Sequence, residues 1–217
     1  MSHCLIFANG HANDGLMVRR TLDAAGSPLV IAADGGARLA REFGYHIDLI
    51  VGDMDSLPAA DLAAFEADGV ATERHPPAKD ETDLELALHA AVDRDATWIR
   101  VIGAVGGRLD QTLANVYLLG LPALQERDVR LVSGKQEVRL LRPGSYPLTG
   151  SAGDTVSLIP IGGGAQGIVT GGLHYPLADE ALEFGPARGI SNVMTGDTAQ
   201  VAFRSGRLLL IHSLGSA

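Results

Sequence analysis

Asp53 and Asp55, in the run Val51-Gly52-Asp53-Met54-Asp55-Ser56, are the residues whose types and spacing could do chemistry. They follow Asp48-Leu49-Ile50-Val51, which reads as a short buried strand that the backbone leaves at Gly52. If the chain stays extended through Met54, both carboxylates point to one side, because side chains alternate with period two. Two such charges in close approach repel by roughly 4 kcal/mol at an effective dielectric of about 20. A divalent cation removes that repulsion, and Mg²⁺ takes one or two carboxylates together with phosphate oxygens and water. The same residues also suit a plain strand exit, in which Asp55 or Ser56 caps a helix whose first turn holds Pro58. The D-x-D alone leaves both readings open.

The elements around it decide what else can join. Strand-like runs at Leu5–Ala8, Leu29–Ala33, 48–51, Trp98–Ile102 and Val129–Val132 alternate with helical patterns at 14–25, 37–43, 58–67, from Thr82 and from Asp110 to about Leu121. Thr82 and Glu85 have the spacing of a capping box. Alternation of this kind predicts an α/β domain with a mainly parallel sheet and helices on both faces. Ligands of such sheets bind beyond the carboxyl ends of the strands. Asp34, Asp53, Asp55, Asp83 and Asp110 all follow predicted strands, so the topology gathers them on one rim. Each acid also has a structural role available, as a turn residue or a helix cap. Lys79, Arg108 and the pairs Gly35-Gly36 and Gly106-Gly107 accompany them. Glycines permit close backbone approach to phosphates, which Lys and Arg bind by charge and by fork.

Near Gly134 the texture changes. Helical periodicity gives way to short β-type runs at Glu137–Leu141, Thr155–Pro160, Gln166–Val169, Ala199–Phe203 and Arg207–His212, punctuated by glycine. These predict a small all-β sandwich as a second domain, 135–217 after 1–134. Gly162-Gly163-Gly164 reads as a turn, because no helix follows it, and the Pro-Leu pairs at 147 and 176 as turns or edge positions.

Composition narrows the function classes. A formal charge of −9 over 217 residues argues against nucleic-acid and anionic-membrane partners, which need a basic surface. The lone Cys4 sits in an apolar run, and no signal or membrane-spanning stretch is evident, so the expected location is cytoplasmic. The histidines lack zinc-site spacing, and no nucleophile-elbow or P-loop sequence occurs.

Taken together, Asp34-Gly35-Gly36, Gly52-Asp53-Met54-Asp55-Ser56, Lys79-Asp80-Glu81-Thr82-Asp83 and Gly106-Gly107-Arg108-Leu109-Asp110-Gln111-Thr112-Leu113-Ala114-Asn115 resemble the motifs of the thiamine pyrophosphokinase family. Gly172-Leu173-His174-Tyr175-Pro176-Leu177 and Gly189-Ile190-Ser191-Asn192 extend the resemblance over almost the whole chain. It implies an α/β catalytic domain, a β-sandwich, and a homodimer with sites between subunits. It also implies transfer of the diphosphoryl group of ATP to the hydroxyl of thiamine, releasing AMP. On that reading Asp53, Asp55 and Asp83 hold Mg²⁺ and Asp110 stands near the attacking hydroxyl. Asp34, Gly35, Lys79, Thr82, Arg108 and Gln111 border the ATP, and Tyr175, Ser191 and Asn192 hold the thiamine. Two positions depart from the family pattern: Gln111 replaces a usual His, and Tyr175 a common Trp. A metal-dependent phosphohydrolase and a non-catalytic binding module are the alternatives to test.

Overall fold

In the computed structural model, which describes residues 2–11 and 13–215, the chain divides into two units, Met1–Gly134 and Lys135–Ala217. The first contains β1 (Ser2–Phe7), α1 (Leu16–Ala25), β2 (Leu29–Ala33), α2 (Gly36–Glu42), β3 (Leu49–Gly52), α3 (Ala59–Ala67), β4 (Ala71–Arg74), α4 (Asp83–Asp93), β5 (Ala96–Ile102), α5 (Leu109–Leu118) and β6 (Asp128–Ser133). Its strands run in the order β6-β5-β1-β2-β3-β4, and every neighbouring pair is parallel. The apolar runs become strands because a sheet covered by helices needs continuous hydrophobic strands rather than alternating ones. Leu5, Ile6 and Phe7 in β1, Ile31 in β2 and Ile50 in β3 are all fully enclosed. α1 packs on β1 and β6 and α2 on β1 and β2, while α4 packs across β1, β2, β3 and β5; α5 is largely exposed and buries only Asn115.

The second unit holds β7 (Gln136–Leu141), β8 (Gly144–Thr149), β9 (Thr155–Pro160), β10 (Ala165–Gly171), β11 (Ala178–Leu182), β12 (Asn192–Val193), β13 (Thr198–Phe203) and β14 (Leu208–Ser213). Two antiparallel sheets form, β12-β9-β14-β7 and β11-β10-β13-β8. Val156, Leu158, Ile168, Val201, Phe203 and Leu210 supply the core between them. This is the expected α/β domain followed by an antiparallel β-sandwich.

Four strands escaped the sequence pattern: β4, β8, β11 and β12. None carries a buried apolar run. β4 is exposed or half-buried throughout, and β8 buries only Leu148. β8 is an edge strand, which is where a sheet tolerates Pro147.

Candidate active site

β1 lies between β2 and β5, and the chain leaves these strands in opposite directions, so their carboxyl ends open a crevice. Three carboxylates gather at this edge. Asp34 ends β2 in a left-handed conformation with φ of 44°, which a short polar side chain tolerates. Asp53 follows β3, and Asp83 opens α4. Each offers an oxygen, and the three oxygens lie within 4.8 Å of one another. Gly52 permits this approach. A Cβ there would stand 2.9 Å from Asp83 Oδ1 and 3.1 Å from Asp34 Cβ, on a backbone with φ of 148°.

The supports of the cluster are equally local. α4 packs over β1, β2, β3 and β5 through an apolar face that includes Leu84, Ala87 and Leu88, which fixes where Asp83 stands. Thr82 Oγ1 accepts the Glu85 N–H at 3.2 Å, one arm of the expected capping box. Lys79 Nζ sits 3.2 Å from Asp53 Oδ2 and 3.0 Å from Asp83 Oδ1. Burial works to lower the Lys79 ammonium, but Asp83 and Asp53 outweigh it and hold the group above its ordinary value. Burial also works to raise Asp53, and there the Asp55 N–H and Lys79 prevail and hold the carboxyl low.

Asp34 behaves differently. Burial pushes its carboxyl up, and the charges of Asp83 and Asp55 add to that, against the hydrogen bond from Ser56. Its Oδ2 accepts the Ser56 N–H at 3.0 Å. Its Oδ1 is buried with no hydrogen bond among the described residues. A buried carboxylate oxygen left without a donor is costly unless something else satisfies it. Three hard oxygen donors, one of them unsatisfied, fit a Mg²⁺-type cation.

Asp55 lies outside this trio. Met54 has φ of 66°, so the D-x-D is a turn rather than an extended segment. The Asp55 N–H folds back onto Asp53 Oδ1 at 3.2 Å, and its exposed carboxylate takes the Ser56 hydroxyl at 3.1 Å. Asp34 occupies the place that alternation assigns to Asp55. Neither Asp55 nor Ser56 caps a helix, for α3 begins after Pro58 without a side-chain cap.

A cavity of about 650 Å³ runs from Asp34, Lys79, Thr82 and Asp83 to the loop after β5. That volume lies within the range of small-molecule and cofactor sites. Arg108 and Gln111 border its far side. α5 braces the glycine loop from below, with Gly106 N–H donating to Thr112 Oγ1 at 3.2 Å and Asn115 Nδ2 donating to Ala104 O at 2.8 Å. Asp110 is not among the lining residues. Its carboxylate is forked by Arg108 at 3.2 and 2.6 Å, with both side chains mostly exposed. Gly35 does not line the cavity either and instead backs onto Asn9, whose Oδ1 stands 2.4 Å from where a Gly35 Cβ would be. Asn9, Gly10 and His11, in the loop after β1, do line it. The strand-end rule applies to this loop as to the others, but its cavity-lining stretch Asn9-Gly10-His11 holds no acid, and Asp14 further on is paired with Arg19 instead.

The sandwich has a smaller pocket of about 310 Å³, bordered by Leu158, Tyr175, Leu177, Ile190 and Asn192. Asn192 is bound into the loop that carries Tyr175: its Oδ1 accepts the Tyr175 N–H at 3.0 Å, and its Nδ2 donates to Tyr175 O at 2.7 Å. His174 meets the Tyr175 ring edge-on at 4.6 Å between centroids. The ring itself is 67% exposed. Ser191 borders the segment without lining the pocket. Its φ is 56°, and its N–H donates to Ser157 Oγ at 3.0 Å.

A parallel sheet with an acidic, glycine-lined cavity at its switch point, followed by a sandwich with a pocket of its own, defines a two-domain protein built to bind small molecules. Residues 23–132 match the family model for the thiamin pyrophosphokinase catalytic domain, and residues 145–208 that for its vitamin B1 binding domain. The chain belongs to the thiamine pyrophosphokinase family. Thiamine pyrophosphokinase of Bacillus subtilis is 28% identical over 163 residues, spanning 75% of this chain and 76% of that one. Thiamine pyrophosphokinase 1 of Arabidopsis thaliana is 27% identical over 212 residues, spanning 84% and 77%. The crystal structure of the Bacillus subtilis protein superimposes with a TM-score of 0.87 at 26% identity, covering 98% of this chain and 99% of that one. The yeast thiamin pyrophosphokinase shares the fold at 15% identity, with a TM-score of 0.78 over 98% and 86%.

Proposed function

We propose that this chain makes thiamine diphosphate by moving the terminal diphosphoryl group of ATP onto the hydroxyl of thiamine. The thiamine oxygen bonds to the β-phosphorus, the bond from that phosphorus to the α,β-bridging oxygen breaks, and AMP departs with that oxygen. The hydroxyl proton passes to a rim carboxylate. The observation that carries this reading is the trio Asp34, Asp53 and Asp83, with its unsatisfied buried oxygen on the wall of a nucleotide-sized cavity.

Asp34, Asp53 and Asp83 would hold Mg²⁺, which when bound neutralises charge on the phosphates and keeps them in line. Asp55 backs Asp53 through its backbone N–H. Phosphoryl transfer needs positioning and charge stabilisation more than covalent help, and the remaining residues suit that. Lys79 keeps the acids together, Thr82 fixes the start of α4, Gly35 leaves room for Asn9 beside the cavity, and the Gly106-Gly107 loop lets phosphates approach backbone. Arg108 is in reach of the cavity and exchanges Asp110 for a phosphate oxygen, leaving Asp110 near the incoming hydroxyl. Gln111 offers an amide to the nucleotide. In this reading the first unit binds ATP and the second binds thiamine, its ring resting on Tyr175 in a loop that Asn192 and Ser191 hold. The acidic site also suits the positive thiazolium.

We further propose a homodimer in which the thiamine pocket of one subunit faces the acidic rim of its partner. The exposure of Tyr175 and Ile190, 67% and 48%, supports this, because an aromatic platform binds best when covered. A cytoplasmic enzyme is consistent with the buried, unbridged Cys4, and no described helix is long and apolar enough to cross a membrane.

Mass-spectrometric product analysis with ATP, Mg²⁺ and thiamine tests the reaction. AMP and thiamine diphosphate should appear in equal amounts. AMP or phosphate release that ignores thiamine would make the protein a phosphohydrolase, and binding without turnover would make it a binding module.

A further inference from the structure

We propose that His11 is a phosphate-binding residue of the nucleotide site, meeting the phosphate chain of ATP with an imidazole N–H. The inference rests on the nucleotide reading of the larger cavity. It begins with where the chain puts this loop. Asn9-Gly10-His11 leaves the carboxyl end of β1, the strand flanked by β2 and β5 at the switch point.

The loop is wedged between its neighbours. A Cβ on Gly10 would fall 2.1 Å from Gly103 O in the loop after β5, and a Cβ on Gly35 would fall 2.4 Å from Asn9 Oδ1 in the opposite direction. Contacts this close leave the turn no room to shift. His11 is thereby carried to the glycine loop. Its ring Cδ2 lies 3.8 Å from the place of a Gly106 Cβ, and its Nε2 lies 3.9 Å from that of a Gly107 Cβ. Thr112 and Asn115 hold the glycine loop in turn.

The pairing of the other basic side chains around the cavity makes His11 distinctive. Lys79 is engaged by Asp53 and Asp83, and Arg108 by Asp110. Among the described residues, His11 makes no hydrogen bond or ion pair, although it lines the same cavity. A triphosphate arriving there brings several charged acceptors, and the imidazole is the side chain free to donate without first giving up a carboxylate. Hydrogen bonds to charged groups are the strong ones.

The test is His11→Ala in the full chain, with dissociation constants measured calorimetrically for ATP, inorganic tripolyphosphate and adenosine, each with Mg²⁺. Loss of one charge-assisted bond should weaken ATP and tripolyphosphate roughly tenfold and leave adenosine within about twofold. His11→Gln keeps an N–H donor of similar reach and should recover most of the loss. Thermal melts should coincide with the parent, since His11 is exposed. Equal weakening of ATP and adenosine would instead make the ring a platform for the base, and unchanged binding of ATP would remove His11 from the site. Either result overturns the proposal while leaving the transfer reaction standing. A parent that binds neither ATP nor tripolyphosphate overturns it together with the nucleotide reading. A parent that binds both but yields no thiamine diphosphate overturns the reaction alone.

Discussion

Gly52 sets the distance between acids that would otherwise keep apart. Its missing side chain lets Asp34 and Asp83 meet over the end of β3, so Gly52→Ala should fold yet lose turnover by at least an order of magnitude. The loss should be partly restored by raising Mg²⁺, which steady-state assays across a metal titration would read. Asp53→Asn removes a charge from the trio and should lower turnover by orders of magnitude with the fold intact. Asp55→Asn should do much less, because that carboxylate faces solvent and Ser56. Turnover of Asp53→Asn within a few-fold of the parent at saturating Mg²⁺ would remove Asp53 from the metal site. Gln111 stands where the family usually has His, and the parent is expected to be active without an imidazole there. Assaying it beside Gln111→His checks this: an inactive parent rescued by histidine would mean that position 111 carries the proton transfer.

Elements differ in how plainly the sequence announces them. β1, β2, β3, β5 and β6 are legible because a parallel strand buried on both faces must be apolar throughout, and a run such as Leu5-Ile6-Phe7 has no other use. α4 is legible from its cap and its stripe of Leu84, Ala87 and Leu88. β4 and β11 are not, since an edge strand is held by backbone pairing that needs no particular side chains. The same distinction applies to the site. Acids at strand ends can be read from order alone, but that Asp34 rather than Asp55 lies beside Asp53 and Asp83 goes with a left-handed turn at Met54 that sequence order does not announce. β5 and β6 also carry an ion pair with a pH signature. Arg100, nearly enclosed, meets Asp128 Oδ2 at 2.6 Å and stacks over Trp98 at 4.0 Å. Burial works to raise the Asp128 carboxyl, but Arg130 and Arg100 outweigh it and hold it low. A carboxyl lower in the folded than in the unfolded chain stabilises above the unfolded value of about 3.9, and that contribution fades as pH falls through the folded value. Asp128→Asn should therefore cost about 2 kcal/mol at pH 7, a figure discounted because Asp128 is partly open to water. The gap from the parent should narrow in urea melts as the pH is lowered below about 3.9.

At the scale of the whole molecule, the proposed homodimer, in which the thiamine pocket of one subunit faces the acidic rim of its partner, predicts complementation. Asp53→Asn and Asn192→Ala should each be inactive alone. Mixed under conditions where native mass spectrometry detects subunit exchange, they should regain part of the parent activity, since a heterodimer can hold one site with both halves intact. Heterodimers as inactive as either variant would place each complete site within a single chain. The strand order has a further bearing, on the order in which the chain is made. β1 is synthesised ahead of its neighbours and pairs with β2 along one side, but the strand for its other side, β5, follows only after β2, β3 and β4. Until then the emerging protein carries a fully apolar central strand with an open edge, the feature that most readily recruits a foreign strand. On the ribosome, protection from protease should appear abruptly once Ile102 clears the exit tunnel. Nascent chains stalled before that point should be the ones that chaperones hold.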